Sequence, residues 1–255
     1  MGRLEGKVAI VTGGNSGIGK KTAEVFCAEG ASVVITGRRE AENQKTVSEI
    51  GAQGGEISYI TADVTVQEDC RRIVEETVTK YGRIDVLVNN AGIVDKNFSI
   101  KNCSEDWFDY VMKVDCYSVY YMCKYALVYM EREGKGSIIN ISSIGSQGVS
   151  GIAYSGAKAA VNAMTKNIAC FYGKTAIRCN AVAPGPTPTP LNAPENTRDF
   201  DHEFAALCEQ HMDMTLPLPD TTDQANAILF FASDDSRSIS GQILYVDHGC
   251  TLYGG

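Results

Sequence analysis

The sequence has no excess of positive charge. Its 255 residues contain 23 Lys and Arg against 31 Asp and Glu, which gives a formal net charge of -8 at pH 7. Proteins that bind DNA or RNA present a basic face, so this balance weighs against nucleic acid as a partner. It also weighs against an anionic membrane surface, although a local basic pocket for one phosphate stays compatible with the composition.

Metal-binding patterns are missing as well. The chain has nine cysteines, but no two of them form a C-x-x-C pair, and its three histidines have neither metal-ligand nor triad spacing. This absence argues against a zinc site and predicts no metal. We expect the cysteines to be reduced thiols that act as small apolar residues in a cytosolic protein.

The sequence also lacks a long apolar run. Its most apolar long segment, residues 110–130, is interrupted by Lys113, Asp115 and Lys124, which is not compatible with a membrane span. The opening residues are charged early and then turn glycine-rich, which is unlike a secretory signal peptide. These observations predict a cytoplasmic protein without a membrane partner.

Short apolar segments instead alternate with amphipathic ones. The predicted strands lie within residues 7–13, 32–37, 57–64, 84–92, 136–143, 176–185 and 241–249. Strands separated by helices indicate a mainly parallel, seven-stranded sheet that is covered on both faces. We therefore predict an α/β fold: one doubly wound, Rossmann-like domain over residues 1–255, with ligands at the carboxyl ends of the strands.

The first strand is followed directly by TGGNSGIG, residues 12–19. Glycines in such a turn allow a pyrophosphate to approach the backbone, and the following helix directs its N-terminal amides at the anion. The strand-to-helix context favours dinucleotide binding over an ordinary turn. The cofactor-binding residues predicted here are Gly13, Asn15, Ser16, Gly17, Ile18 and Gly19.

The second strand ends in ITGRRE, residues 35–40. Sites that prefer NAD usually place a carboxylate here for the ribose hydroxyls. This chain instead places Arg38 and Arg39, whose guanidinium groups suit the 2′-phosphate of NADP, although they could also be solvated surface residues. We predict NADP(H) as the cofactor, with NAD(H) as the alternative.

The third and fourth strands end in TADV and NNAG. Asp63 and Val64 are placed where an adenine ring could rest. Asn90, Ala91 and Gly92 are small enough for a ribose to pass close to the backbone. Either segment could also be a simple turn.

The stretch AYSGAK places Tyr154 and Lys158 four residues apart at the start of a predicted helix. This spacing puts both side chains on one helical face. A protonated lysine favours the phenolate and lowers the pKa of the phenol, which would make tyrosine a usable acid or base, although the pair taken alone could also be an exposed helix surface.

Together, TGGNSGIG, NNAG, a serine after the fifth strand, YSGAK and APGPTPT resemble the short-chain dehydrogenase/reductase family over about residues 7–249. The resemblance implies that Tyr154 is the catalytic acid/base and that Lys158 lowers its pKa and holds the nicotinamide ribose. It implies that Ser143, rather than Ser142, binds the substrate oxygen. The segment that would cradle the nicotinamide and pyrophosphate contains Pro184, Gly185, Thr187 and Thr189.

The sequence departs from the family pattern at two places. Asp115 stands where the family usually has an asparagine, and its carboxylate could pair with Lys158 while its backbone keeps the family role. Ser143 precedes Tyr154 by eleven residues, about two fewer than is common in the family.

All seven prolines lie within residues 184–219, and five of them crowd into PGPTPTPLNAP. This stretch cannot be helix interior, and it leads into a predicted helix over residues 195–214. We interpret residues of about 190–215 as a substrate lid. Its apolar side chains predict a bulky, apolar substrate; they are Leu191, Phe200, Phe204, Leu207, Met212 and Met214.

The predicted function is hydride transfer between NADP(H) and a secondary alcohol or ketone, such as a steroid or bile-acid hydroxyl. Alternatives are a 3-oxoacyl or sugar-type ketone reductase, a non-catalytic dinucleotide sensor, and an epimerase. The tyrosine stripe at positions 117, 121, 125 and 129 predicts packing or a subunit interface. The resemblance further implies a homo-oligomer, either a tetramer or a dimer.

Overall fold

The computed structural model describes residues 2–93, 95–193, 196 and 198–252. Its seven strands form one parallel sheet with the order β3-β2-β1-β4-β5-β6-β7. The strands are β1 Val8–Thr12, β2 Ser32–Gly37, β3 Ile57–Thr61, β4 Val86–Asn89, β5 Lys135–Ile141, β6 Ala176–Pro184 and β7 Ile243–Val246. The predicted fold class is therefore confirmed.

Eight α-helices are described between and beside these strands. They are α1 Gly17–Ala28, α2 Glu40–Gly51, α3 Gln67–Tyr81, α4 Glu105–Met112, α5 Ser118–Glu133, α6 Ile152–Phe171, α7 His202–Glu209 and α8 Thr221–Ala232. A π-helical turn, Lys113–Tyr117, joins α4 to α5. Helices that cover both faces of a parallel sheet bury its strands, which explains why central strands such as β1 and β4 are mainly apolar.

Alternation along the strands divides the core into two layers. Ile10 and Leu87 belong to the layer beneath α3, α5 and α6, whereas Ala9, Val11 and Val88 belong to the layer beneath α1 and α8. Because neighbouring strand residues point to opposite faces, one strand contributes to both layers. The burial of both faces holds the strand ends in fixed positions.

Polar groups also join the central strands. The amide of Asn89 donates to the Asn140 side chain at 2.8 Å, and Asn140 donates to the Thr165 hydroxyl at 2.9 Å. All three residues are buried. Hydrogen bonds of this kind satisfy polar groups within the core and tie β4, β5 and α6 together just below the carboxyl ends of the strands.

The strand order reverses between β1 and β4, which places a crevice at their carboxyl ends. The predicted lid lies over this crevice, but its helix is shorter than the sequence suggested. α7 covers His202–Glu209 because Asp201 caps it, accepting a hydrogen bond from the Phe204 amide at 3.1 Å. Three predicted lid residues, Pro194, Glu195 and Thr197, lie outside the described residues.

Candidate active site

The glycine-rich turn is held by hydrogen bonds to the residues that follow β4. The Asn90 side chain donates to the carbonyl oxygens of Thr12 at 2.9 Å and Gly13 at 3.2 Å. The Thr12 hydroxyl in turn accepts from the amides of Asn90 and Ala91, both at 3.0 Å. Asn90 therefore fastens TGGNSGIG to NNAG, two segments that are far apart in the sequence.

The turn leaves a concave backbone surface at the start of α1. Gly13 and Gly17 have φ angles of 64° and 52°, which favour glycine. The N-cap residue Ser16 makes no side-chain hydrogen bond to the first turn of α1. The backbone N–H groups of that turn are therefore available to an anion. This arrangement fits the pyrophosphate of a dinucleotide.

Gly19 differs from the other predicted cofactor residues because it does not line the crevice. It is buried in α1, where a Cβ would lie 2.4 Å from both the side-chain nitrogen Nδ2 of Asn90 and the carbonyl oxygen of Gly13. Its role in the structure is close packing of α1 on β4. The other predicted cofactor residues all line one crevice of about 820 Å³.

One end of the crevice lies at the carboxyl ends of β2 and β3, where the sequence predicts that the adenosine binds. Arg38 and Arg39 line it, and the Arg38 guanidinium donates to the Tyr110 hydroxyl at 3.3 Å. This hydrogen bond raises the pKa of Arg38. The carboxylate of Asp63 accepts hydrogen bonds from the Thr65 amide and hydroxyl, which ties it into its own turn.

The catalytic candidates meet at the opposite end. Tyr154 and Lys158 lie in the first two turns of α6, and the Lys158 ammonium is 5.4 Å from the centre of the Tyr154 ring. Lys158 is buried and donates to the Ile141 carbonyl oxygen at 3.1 Å. Tyr154 is half-buried and faces the crevice.

The two serines after β5 have different environments. Ser142 is buried and donates to the Lys158 carbonyl oxygen at 3.4 Å, on the helix side of the strand end. Ser143 is half-buried, and its oxygen accepts a hydrogen bond from the Gly145 amide at 3.0 Å. The Ser143 hydroxyl keeps its own hydrogen, which it can donate to a bound oxygen.

Asp115 is fully buried in the π-helical turn, where the extra residue carries it beside Lys158. Its Oδ1 lies 3.0 Å from the Lys158 ammonium. The two charged groups form a buried ion pair. The pairing that the sequence suggested is present.

The pKa of Tyr154 differs from the sequence expectation. Burial raises it above its ordinary value, and the positive charge of Lys158 opposes this change without reversing it. The predicted net lowering is therefore wrong, because desolvation of the phenolate outweighs the ammonium. Burial acts to lower the pKa of Lys158, but Asp115 and Tyr154 raise it above its ordinary value. Burial also raises the pKa of Asp115.

The segment after β6, which the resemblance assigns to the nicotinamide and pyrophosphate, lines the same crevice. Thr187 is buried; its hydroxyl donates to the Gly185 carbonyl oxygen at 3.0 Å and accepts from Gln224 at 3.2 Å. A Cβ on Gly185 would lie 2.7 Å from Asp247. Gln224 gave no signal in the sequence, because it lies in an ordinary helical stretch and its role depends on the packing of α8.

The part of the crevice beneath the predicted lid is lined by residues of that segment and of the loop after β4. Its lining includes Leu191, Phe200, Cys208, Met212, Met214 and Asp95. Trp107 and Tyr110 of α4 also line the crevice, and no sequence motif indicated them. Of the predicted apolar lid residues, Phe204 and Leu207 do not line it, and Leu207 is exposed.

Three further findings concern the described part of the chain. All nine cysteines have free thiols. In the described ranges, no group of three or more His, Cys, Asp or Glu side chains could hold a metal ion. A search of the same residues found no helix with the length and apolar character that crossing a membrane requires.

Comparison with known proteins gave consistent matches. A family profile described as enoyl-(acyl carrier protein) reductase matches residues 13–251. A 7alpha-hydroxysteroid dehydrogenase from Clostridium sardiniense is 39% identical over 259 residues, which cover 99% of this chain and 96% of the relative. A 3beta-hydroxysteroid dehydrogenase from Mediterraneibacter gnavus is 35% identical over 272 residues, which cover 99% of this chain and 98% of the relative. The solved structure of a short-chain dehydrogenase/reductase from Burkholderia xenovorans has a TM-score of 0.89 at 32% identity and covers 99% of both chains.

Proposed function

The chain belongs to the short-chain dehydrogenase/reductase family, and on that premise we propose that it transfers a hydride between NADP(H) and a bulky, largely apolar secondary alcohol or ketone. It is an oxidoreductase that acts on CH–OH groups. The observation that carries the proposal is that Ser143, Tyr154 and Lys158 lie at one end of a crevice whose other end is lined by a glycine-rich turn and two arginines.

Tyr154 is the proton donor in the direction of ketone reduction. The phenol is protonated at neutral pH because the ordinary pKa of tyrosine is about 10 and burial raises the pKa of Tyr154 further, so a proton is available for the oxygen that becomes an alkoxide. The Ser143 hydroxyl donates a second hydrogen bond to that oxygen. Lys158 keeps a positive charge beside the phenol and stabilises the phenolate that remains after proton transfer.

Asp115 holds this lysine in place from within the fold. An ion pair at 3.0 Å and the Ile141 carbonyl oxygen at 3.1 Å both constrain the ammonium. Asp115 lies at the inner wall of the crevice and is fully buried, so we propose that it positions the Lys158 ammonium and maintains its charge.

The residues present fit a nicotinamide dinucleotide. The cradle formed by Gly13 and Gly17 would hold the pyrophosphate, and Arg38 with Arg39 would bind a 2′-phosphate by charge-assisted hydrogen bonds. Asn90, Lys158 and Thr187 would contact the ribose and nicotinamide. When bound, the nicotinamide supplies or accepts the hydride. NADP(H) is favoured because the residues that follow β2 are cationic.

The proposed substrate class is a hydroxysteroid or bile-acid-type hydroxyl, or the corresponding ketone. Its support is the apolar lid lining together with two relatives named as hydroxysteroid dehydrogenases. An extended apolar ring system would bury against Leu191, Phe200 and Met212 while its oxygen reached Tyr154.

Cofactor absorbance during incubation with hydroxysteroids, their ketones, 3-oxoacyl thioesters and sugar ketones tests the proposal. We expect NADP(H)-dependent turnover of a steroid substrate, with loss of activity in Tyr154→Phe. Turnover restricted to 3-oxoacyl thioesters would replace the substrate class. Cofactor binding without turnover of any compound would support the sensor alternative and refute the enzyme mechanism.

We also propose a cytoplasmic homo-oligomer, either a tetramer or a dimer. Nine free thiols suit a reducing compartment. Exposed apolar side chains on several elements suit subunit contacts; they include Tyr117, Tyr120, Phe171, Leu244 and Tyr245. Tyr121, Tyr125 and Tyr129 pack against the core instead. Light scattering of the purified protein would test the assembly, and a monomer at micromolar concentration would refute it.

A further inference from the structure

The loop between β4 and α4 contacts both the catalytic helix and the lid. We call residues 95–102 the bridging segment. It contains Asp95, whose carboxylate lines the crevice, and ends just before α4. None of the sequence motifs falls within it.

On one side, the bridging segment completes the N-terminus of α6. Asp95 Oδ2 accepts hydrogen bonds from the Gly151 amide at 2.7 Å and the Ser150 hydroxyl at 2.5 Å. The Phe98 carbonyl oxygen accepts from the Ile152 amide at 2.9 Å. Two of the four N–H groups that a helix leaves unpaired at its start are therefore satisfied by another loop.

This contact is a close fit. Gly151 is the N-cap of α6 and has no side chain with which to cap the helix itself. A Cβ at Gly151 would lie 2.5 Å from Asp95 Oδ1 and 2.9 Å from the Phe98 amide nitrogen. Asn97 adopts a φ of 53°, an uncommon conformation for a residue other than glycine. The surrounding contacts hold the segment in this conformation.

On the other side, the bridging segment binds the lid through one carboxylate. Asp201 caps α7. Its Oδ2 accepts hydrogen bonds from the side-chain amide of Asn102 at 2.8 Å and from the Ser99 hydroxyl at 3.1 Å. The Asp201 amide donates to the Lys96 carbonyl oxygen at 2.9 Å. The start of the lid helix is thus attached to the same eight-residue segment as the start of the catalytic helix.

We propose that Asp95 is a positioning residue for Tyr154, and that the bridging segment couples the position of the lid to that of the catalytic helix. Tyr154 is the third residue of α6, within the turn that Asp95 holds. A displacement of about 1 Å at a reacting group can lower a rate about a hundredfold. The proposal rests on the proposed function, in which Tyr154 donates the proton.

Kinetics of two Asp95 variants test the positioning role. We expect Asp95→Ala to lower kcat for a ketone at least about tenfold, or about 1.4 kcal/mol, with little change in the KM for the cofactor. Asp95→Asn keeps an oxygen acceptor for Gly151 and should stay within about threefold of the wild type. A kcat within twofold of wild type in Asp95→Ala, with only a lower melting temperature, would mean a structural role and overturn the proposal. Equal losses in both variants would implicate the charge instead and also overturn it.

A double-mutant cycle tests the coupling. Asp201→Ala should raise the KM for the ketone and lower kcat. The double variant with Asp95→Ala should lose less than the product of the two single losses, because both act on one segment. Losses that multiply would refute the coupling. Asp213→Ala is the matched control, since this lid carboxylate bonds only within its own turn, to Thr215, and should leave kcat unchanged.

The single tryptophan gives a readout that does not depend on turnover. Trp107 packs on Phe98 with ring centres 6.1 Å apart, and the Lys96 ammonium lies 4.6 Å above its ring. Its emission should shift in Asp95→Ala and in Asp201→Ala but not in Asp213→Ala. Unchanged emission in both variants would overturn the proposal. If the wild type turned over no carbonyl compound, the proposed function would fail while this measurement still decided whether the segment joins helix and lid.

Discussion

Replacement of Asp115 by asparagine separates the charge of this residue from its shape. The variant keeps the volume of the side chain, and an amide oxygen can remain beside the Lys158 ammonium, which also keeps the Ile141 carbonyl oxygen at 3.1 Å. A hydrogen bond to a charged group is worth about 1.5–3 kcal/mol, and the exchange of one oxygen acceptor for another alters only part of that. We therefore expect kcat to fall by no more than about tenfold, or about 1.4 kcal/mol.

The pH dependence of the same variant has a definite sign. The negative charge of Asp115 raises the pKa of Tyr154, so its removal should lower the pKa of the phenol. Alcohol oxidation needs Tyr154 as a base, and its rate rises as the phenol ionises. The ascending limb of the pH–rate profile for alcohol oxidation should therefore move to lower pH in Asp115→Asn.

The assay is kcat in both directions as a function of pH, followed by cofactor absorbance. Asp106→Asn is a suitable control, because it removes the same charge from an exposed position in the first turn of α4. Two results would refute the reasoning. A loss beyond about a hundredfold, or about 2.7 kcal/mol, would make the carboxylate itself essential. An ascending limb that stayed at the wild-type pH or moved to higher pH would contradict the effect of the Asp115 charge on the pKa of Tyr154.

Three further variants test other parts of the site. Lys158→Met should lower kcat at least about a hundredfold, as steady-state kinetics would show, and a smaller loss would refute its charge-stabilising role. Arg38→Ser should raise the KM for NADPH at least about tenfold while that for NADH changes little, and equal changes would contradict binding of a 2′-phosphate. Gly19→Ala should lower stability by about 1–3 kcal/mol in thermal unfolding, because its Cβ would meet the Asn90 amide nitrogen at 2.4 Å, whereas Gly156→Ala meets nothing within 4 Å and should be neutral or stabilising.

The fold could be predicted because local patterns and global topology agree. β1, β2 and β4 are mainly apolar, and right-handed crossovers restrict the arrangements open to such strands when helices alternate with them. The cofactor half of the site followed from the same logic, since residues directly after parallel strands must meet at one edge. Gly13, Arg38 and Asn90 come from three different strand ends and line one crevice.

The substrate half could not be predicted in the same way. Asp95 contacts residues that are distant in the chain, and so does Gln224 behind the segment after β6; nothing in the local sequence of either distinguishes it from a surface residue. The lid helix was predicted too long because apolar residues recur across residues 195–214, whereas Asp201 caps the helix and fixes its start at His202. A cap of this kind competes with periodicity, and its partners in the loop after β4 are visible only in three dimensions.

The error in the pKa of Tyr154 has a physical origin that bears on the reaction. Helical spacing correctly placed an ammonium beside the phenol, but spacing carries no information about solvent, and burial acts in the opposite direction with greater effect. A protonated phenol beside a charged lysine is a proton donor, which is the role that the proposed mechanism gives Tyr154 in ketone reduction. For oxidation, Tyr154 must first lose its proton, and the field that favours this loss comes from Lys158, while Asp115 weakens it. The balance between ketone reduction and alcohol oxidation therefore depends on how strongly the buried carboxylate of Asp115 offsets the charge of Lys158. The asparagine that the family usually has at this position is uncharged and would not offset it.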